Sequence, residues 1–203
     1  MNILAFSDVH CDDISINQIV EKSKAVDLVI GAGDFSYGSG RGLKEVINRF
    51  SQINKPCVFV PGNCETFQQL NQACKNWNNF HVLHGTRIKQ DGVEIFGIGG
   101  GIPVTPFGSW SYDFTEAQAR DLLLDCVDGC LLVSHSPPKG ILDISSSGKS
   151  LGSLAIREVL ETKRIKLLVC GHIHASSGKI QRIAQTDVIN AGAYGVVYTM
   201  KDL

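Results

Sequence analysis

Two imidazoles stand two residues apart in Gly171-His172-Ile173-His174, directly after the apolar run Lys166-Leu167-Leu168-Val169-Cys170. Histidines so placed are natural ligands for transition metals. Four other apolar runs also stop at a potential ligand. Residues 2–6 precede Asp8 and His10, residues 27–30 precede Asp34, residues 57–60 precede Asn63, and residues 131–133 precede His135. Five strand ends converging on one metal site account for this pattern.

The elements that must carry these groups alternate along the chain. Residues 2–7 read as a strand, 14–25 carry apolar residues at helical intervals, and 27–32 read as a second strand. Leu43, Val46, Ile47 and Phe50 then form one helical face before the run 57–60. Two such crossovers imply neighbouring parallel strands, whose carboxyl ends share a crevice where open α/β sheets bind ligands. The middle is richer in strand signals, at 81–83, 86–89 and 93–98, with Asp91-Gly92 as the turn between the last two. Residues 97–108, rich in Gly and Pro, read as a surface loop. Helices are predicted over 117–124 and 154–160, and strands over 131–134, 167–170, 179–183, 187–189 and 196–199. The Ser- and Gly-rich stretch 145–153 reads as a mobile loop. No repeat or linker divides residues 1–203, so a single domain is expected.

Composition narrows the function classes. The 203 residues are 43% hydrophobic and 19% charged, enough to bury a substantial core. Nineteen Lys and Arg against 20 Asp and Glu leave no basic field to attract a nucleic-acid backbone. Seven scattered cysteines and no basic leader before an apolar stretch point to reduced thiols and a cytoplasmic setting. No run reaches the roughly 18 residues that would cross a bilayer, so no membrane association is expected. Cys126 and Cys130 read as packing residues, since no second pair completes a zinc site.

Asp8-Val9-His10, Gly33-Asp34, Gly62-Asn63-Cys64-Glu65, Ser134-His135 and Gly171-His172-Ile173-His174, in that order, resemble the five blocks of the calcineurin-like metallophosphoesterases. The resemblance spans residues 1 to about 195, and Ile189-Asn190-Ala191-Gly192 is similar to an Asn-Pro-Gly segment of the family, with Ala191 in place of proline. It implies an α/β fold, a four-layer αββα sandwich of two facing mixed sheets with a dinuclear metal site at the strand ends. It also implies a ligand set. Asp34 matches the bridging carboxylate, with Asp8, His10 and His174 on one ion and Asn63, His135 and His172 on the other. Carboxylate, amide oxygen and imidazole donors suit two divalent transition-metal ions, Mn or Fe ahead of Zn, better than Ca.

Two such ions would activate a bridging hydroxide for in-line attack on phosphorus, so no protein nucleophile is needed. The implied activity is hydrolysis of small phosphodiesters, nucleotide-derived ones included. Phosphomonoesterase, protein phosphatase or nuclease activity and a non-catalytic metal-binding scaffold are the alternatives. Asn63, Cys64 and Glu65 form the candidate catalytic segment. Most relatives carry histidine where Cys64 stands, and a thiol is a poor proton donor to a leaving oxygen. Either the enzyme favours esters whose leaving groups need little protonation, or Glu65 or another residue supplies the proton. Phe107, Trp110 and Tyr112 follow the Gly-rich loop, where they could form a flap that stacks on a base or aryl group, or serve only as packing.

Overall fold

The computed structural model describes residues 1–200. Its strands are β1 (Asn2–Phe6), β2 (Leu28–Gly31), β3 (Cys57–Phe59), β4 (Phe80–Val82), β5 (Thr86–Gln90), β6 (Val93–Ile98), β7 (Leu131–Ser134), β8 (Leu167–Cys170), β9 (Lys179–Ile183), β10 (Thr186–Asn190) and β11 (Val196–Thr199). The helices are α1 (Asp13–Ser23), α2 (Leu43–Phe50), α3 (Phe67–Cys74), α4 (Glu116–Leu122) and α5 (Leu154–Thr162).

Two sheets result. The first runs β11-β1-β2-β3-β4, parallel except where β11 pairs with β1; the second runs β5-β6-β7-β8-β10-β9, parallel in its centre with antiparallel β5 and β9 at the edges. Alternation along each strand explains the layering. Ile3, Ala5, Leu28, Ile30, Val58 and Val60 of the first sheet meet Ile95, Leu131, Val133, Leu167, Val169 and Ile189 of the second in one inter-sheet core. The intervening residues Leu4, Phe6, Val29, Cys57 and Phe59 face α1, α2 and α3, while Phe96, Leu132, Leu168 and Val188 face α4 and α5. Strands buried on both faces need near-continuous apolar runs, which is why these segments do not alternate in sequence. The order of layers is helix, sheet, sheet, helix, as the resemblance implies.

Three local expectations are revised. Helix α3 has no counterpart among the helices expected from periodicity, although Thr66 and Gln69 cap it reciprocally. The stretch 97–108 is a surface loop only in its second half. Ile98 and Ile102 are fully or almost fully buried, and the Ile102 N–H donates to Ser136 Oγ. The stretch 145–153 is tied down at its end, where Ser150 and the Gly152 N–H donate to Asp143 and Ser153 donates to Glu116. The Asp91-Gly92 turn is as expected. Both residues have positive φ, and Gln90 pairs with Val93.

Candidate metal centre

The parallel strands of both sheets end on one side of the molecule, and the loops that follow β1, β2, β3, β7 and β8 carry every ligand candidate. Packing fixes these loops from below. Phe35, next to Asp34, is buried against Phe6, Phe50 and Phe59, with ring centroids 5.8, 6.4 and 5.1 Å away. Gly62 allows a close approach: a Cβ there would lie 2.0 Å from Asp34 Oδ1. Four candidates, Asp8, His10, Asp34 and His172, have φ between 40° and 67°, a region that residues with side chains seldom occupy. Such backbone persists only where surrounding contacts determine it, and it clusters at functional sites.

The donor atoms converge. His174 Nε2 lies 3.5 Å from Asp8 Oδ1 and 3.4 Å from His10 Nε2. Asp34 turns Oδ2 toward His10 Nε2 at 3.7 Å and Oδ1 toward His135 Nε2 at 3.6 Å. His135 Nε2 is 3.2 Å from Asn63 Oδ1, and its ring lies 4.9 Å from that of His172. Asp8, His10 and His174 form one group with donor atoms within 4.8 Å of one another; Asp8, Asp34 and His135 form a second. All seven metal candidates from the sequence are therefore brought together, with His174 near His10 and His172 near His135. This donor set fits a pair of divalent ions: hard oxygens and imidazoles around a carboxylate that presents one oxygen to each side.

Electrostatics supports the fit. Burial raises the pKa of Asp8, but the hydrogen bond to His174, the charge of His135 and the Ser7 hydroxyl bring it down to about 2. Asp8 is thus ionised at any neutral pH. Burial, reinforced by His135, lowers His172 to about 4, so its imidazole is neutral and has a lone pair to offer. Burial opposes charge on His135 as well, yet Asp34 and Asp8 push it upward, the mark of concentrated negative potential.

Residues outside the ligand set hold it in place. His10 Nδ1 lies 3.2 Å from the Ser36 carbonyl and His135 Nδ1 lies 2.7 Å from the Ala32 carbonyl. An Nδ1–H donated to each carbonyl leaves both Nε2 lone pairs aimed into the site. Asn190 Nδ2 donates to the Gly171 and Ile173 carbonyls, and the Gly192 N–H donates to Ser7 Oγ, so the segment resembling Asn-Pro-Gly braces the loops carrying Asp8 and His172. Ser7, Ser36 and Ser111, whose Oγ accepts from Asn63 Nδ2 at 3.2 Å, are site residues that sequence reasoning misses, whereas Asn190 is picked out as part of a motif but without a role. Serine is too common a residue to mark a site by its type.

Glu65 requires a correction. It is fully buried, and its carboxylate accepts from the N–H groups of Asp34, Phe35, Ser36 and Gly62 and from Ser36 Oγ. Burial and the charge of Asp34 push its pKa up, while these donors favour the ionised form. Wrapped in backbone amides behind Asp34, it does not reach a leaving group, and its place is to position the 33–36 loop. Cys64 stays beside the ligands. Its N–H donates to Asp34 Oδ1 at 2.8 Å, and its Sγ lies 4.0 Å from His10 Nδ1. Burial, with Asp34 and Glu65 nearby, pushes the thiol well above its usual range.

A sequence model of the calcineurin-like phosphoesterases matches residues 1–176. A probable rhamnogalacturonate lyase C of Emericella nidulans is 29% identical over 174 residues, 75% of this chain; the chain spans 16% of that protein's length. The crystal structure of TT1561 from Thermus thermophilus superposes with a TM-score of 0.76 at 18% identity, covering 95% of this chain and 90% of that one. A novel archaeal phosphodiesterase superposes with a TM-score of 0.57 at 17% identity, covering 95% and 84%. At these identities the two structures establish a shared fold.

Proposed function

Because the chain belongs to the calcineurin-like phosphoesterase family, whose phosphoester hydrolysis depends on two metal ions, we propose that it hydrolyses small phosphodiesters with water as the nucleophile. The observation that carries the reading is Asp34, whose two oxygens face imidazoles on opposite sides, His10 and His135. In this reading Asp8, His10 and His174 hold one divalent ion, Asn63, His135 and His172 hold the other, and Asp34 serves both. Mn or Fe is favoured over Zn. When bound, the ions supply Lewis acidity toward the phosphoryl oxygens and an activated water.

The chain's own residues set the limits of the chemistry. The thiol of Cys64, 4.0 Å from His10 Nδ1 and raised by burial beside Asp34 and Glu65, stands where the resemblance places a proton-donating histidine, and it is a weak donor. Protonation of the leaving oxygen is therefore the underprovided step, and esters with acidic leaving groups gain most. A diester preference also accords with the likeness to the archaeal phosphodiesterase. No helix among the described residues is long and apolar enough to cross a membrane, and a freely diffusing ester substrate in a reducing cytoplasm is the setting proposed.

The test is a panel of metals and esters on chelator-stripped protein. Restored p-nitrophenol release by Mn or Fe, faster from bis-p-nitrophenyl phosphate than from p-nitrophenyl phosphate, is the expected result. Faster release from the monoester would reassign the enzyme to phosphomonoesters, and no release across metals and esters would sink the hydrolase reading.

A further inference from the structure

The loop 101–113 leaves two aromatic rings on the surface while the residues beside them are pinned to the metal centre. Phe107 is 50% and Trp110 43% exposed, and their rings stack with centroids 5.5 Å apart and planes 20° from parallel. The adjacent Ser111 accepts from Asn63 Nδ2 at 3.2 Å, and the Tyr112 N–H donates to the Asn63 carbonyl at 2.9 Å. Trp110 also lies on the loop after Asp34, since a Cβ on Gly38 would meet its indole at 2.9 Å. That loop in turn touches Cys64, whose carbonyl accepts from the Gly40 N–H. Trp110 and its neighbours Ser111 and Tyr112 thus touch both loops that carry Asp34 and Asn63, with Phe107 stacked on Trp110.

The frame beneath the rings is built from polar groups. Asp113 accepts from the Thr105 N–H, Thr105 Oγ1 and Ser111 Oγ, and backbone bonds from Gly101 to Tyr112 and from Phe114 to Gly101 close the loop at its base. A loop so braced could have turned its aromatic residues inward, as Phe114 is turned against His84. A half-exposed stacked pair on a braced loop beside a ligand gives instead a preorganised outer face for another planar ring.

We infer that Phe107 and Trp110 form the platform on which the aromatic group that the ester retains, an aryl ring or a nucleobase, stacks while its phosphate lies at Asn63 and Asp34. This rests on the phosphoester reading and names the substrate class for it. Stacking on the outer face of the pair is sequence-tolerant, since every base and aryl group presents a π face, and a stacked ring is worth about 1–3 kcal/mol, or about 5- to 150-fold in affinity.

Two measurements test the platform. Bis-p-nitrophenyl phosphate, thymidine 5′-p-nitrophenyl phosphate and methyl p-nitrophenyl phosphate share one leaving group and differ in the group that is retained. Trp110→Ala and Phe107→Ala should raise KM about 5- to 150-fold for the first two, with kcat and the methyl ester little changed, and Trp110→Phe should restore most of the loss. Equal losses on all three esters, or no loss on any, would overturn the inference. Independently of turnover, Trp110 fluorescence in a Trp77→Phe background should be quenched by thymidine 5′-monophosphate and not by methyl phosphate. Quenching without hydrolysis of any ester would retain the platform and remove the hydrolase reading; no quenching by the nucleotide would remove the platform itself.

Discussion

At the scale of single residues, Cys64 and Glu65 divide a task that the sequence pattern assigns to one neighbourhood. Burial beside Asp34 and Glu65 pushes the Cys64 thiol up, so in the proposed reaction it is neither the nucleophile nor an efficient acid. Cys64→Ser is accordingly expected to hydrolyse activated diesters within a few-fold of the parent rate; a thiol-linked phosphoryl adduct, or loss of turnover by that variant, would contradict this. Cys64→His should flatten the dependence of rate on leaving-group pKa, gaining up to about 10²-fold on unactivated esters. An unchanged slope across an aryl ester series would show that protonation is supplied elsewhere. For Glu65, the cost lies in the amides it satisfies. Glu65→Ala leaves four backbone N–H groups without their acceptor, and each buried unsatisfied donor costs about 1–3 kcal/mol. A loss of at least about 3 kcal/mol in urea denaturation is expected, and metal affinity should fall about 10- to 100-fold as the Asp34 loop loosens. A variant as stable as the parent that had lost only turnover would return Glu65 to the proton-donor role.

At the scale of elements, α3 shows how a short helix lowers the segment that carries Asn63 into place. It starts at a reciprocal cap, Thr66 Oγ1 accepting from the Gln69 N–H while Gln69 Oε1 accepts from the Thr66 N–H, and it buries only Leu70 and Cys74. Thr66→Ala should cost about 1 kcal/mol in unfolding free energy with ester kcat unchanged, and a drop in kcat without a drop in stability would tie the cap to catalysis. The same helix marks what can be read from the chain. Strand ends are legible because apolar runs buried on two faces stop abruptly at Asp, Asn and His. Helix α3 is fainter: Leu70, Ala73, Cys74 and Trp77 keep helical spacing, but the helix is only two turns long, its other positions are mostly glutamine and asparagine, and the Thr66–Gln69 spacing is its one further signal. The burial of Glu65 is equally hidden: residue type marks a carboxylate as a proton donor, and only the fold shows amides on every side of it. The pairing of β6, β7, β8 and β10 into a second sheet depends on contacts distant in sequence, which periodicity does not encode; there the family resemblance supplies what the residues alone do not.

At the scale of the whole molecule, the metal centre is a seam between two sheets, and a histidine outside it guards another part of that seam. His84 lies in the crossing from β4 of the first sheet to β5 of the second. It stands among Phe67, Tyr112 and Phe114 and accepts the Gly99 N–H on Nδ1 at 3.1 Å. Burial lowers its pKa from 6.5 to about 4. Between those values the unfolded chain takes up a proton that the folded chain refuses, so the contribution is complete above pH 6.5 and is lost as pH falls toward 4. His84→Phe should therefore flatten the decline of the urea midpoint as pH falls from 6.5 toward 4. A variant and parent with parallel declines would exclude His84 as a source of acid sensitivity.

The antiparallel seat of β11 beside β1 has a consequence in time. Among the described residues β1 is made before the other ten strands and leads directly to Asp8 and His10, yet the partner on its outer edge is residues 196–199, joined through bonds such as that from the Met200 N–H to the Met1 carbonyl. During synthesis the strand that carries the first ligands therefore waits with an open edge until all the other strands have emerged, and pairings this distant in sequence close slowly. The earliest ligands are thus secured by the latest strand, and a nascent chain stalled before residue 196 would present β1 as a template for another molecule's strand.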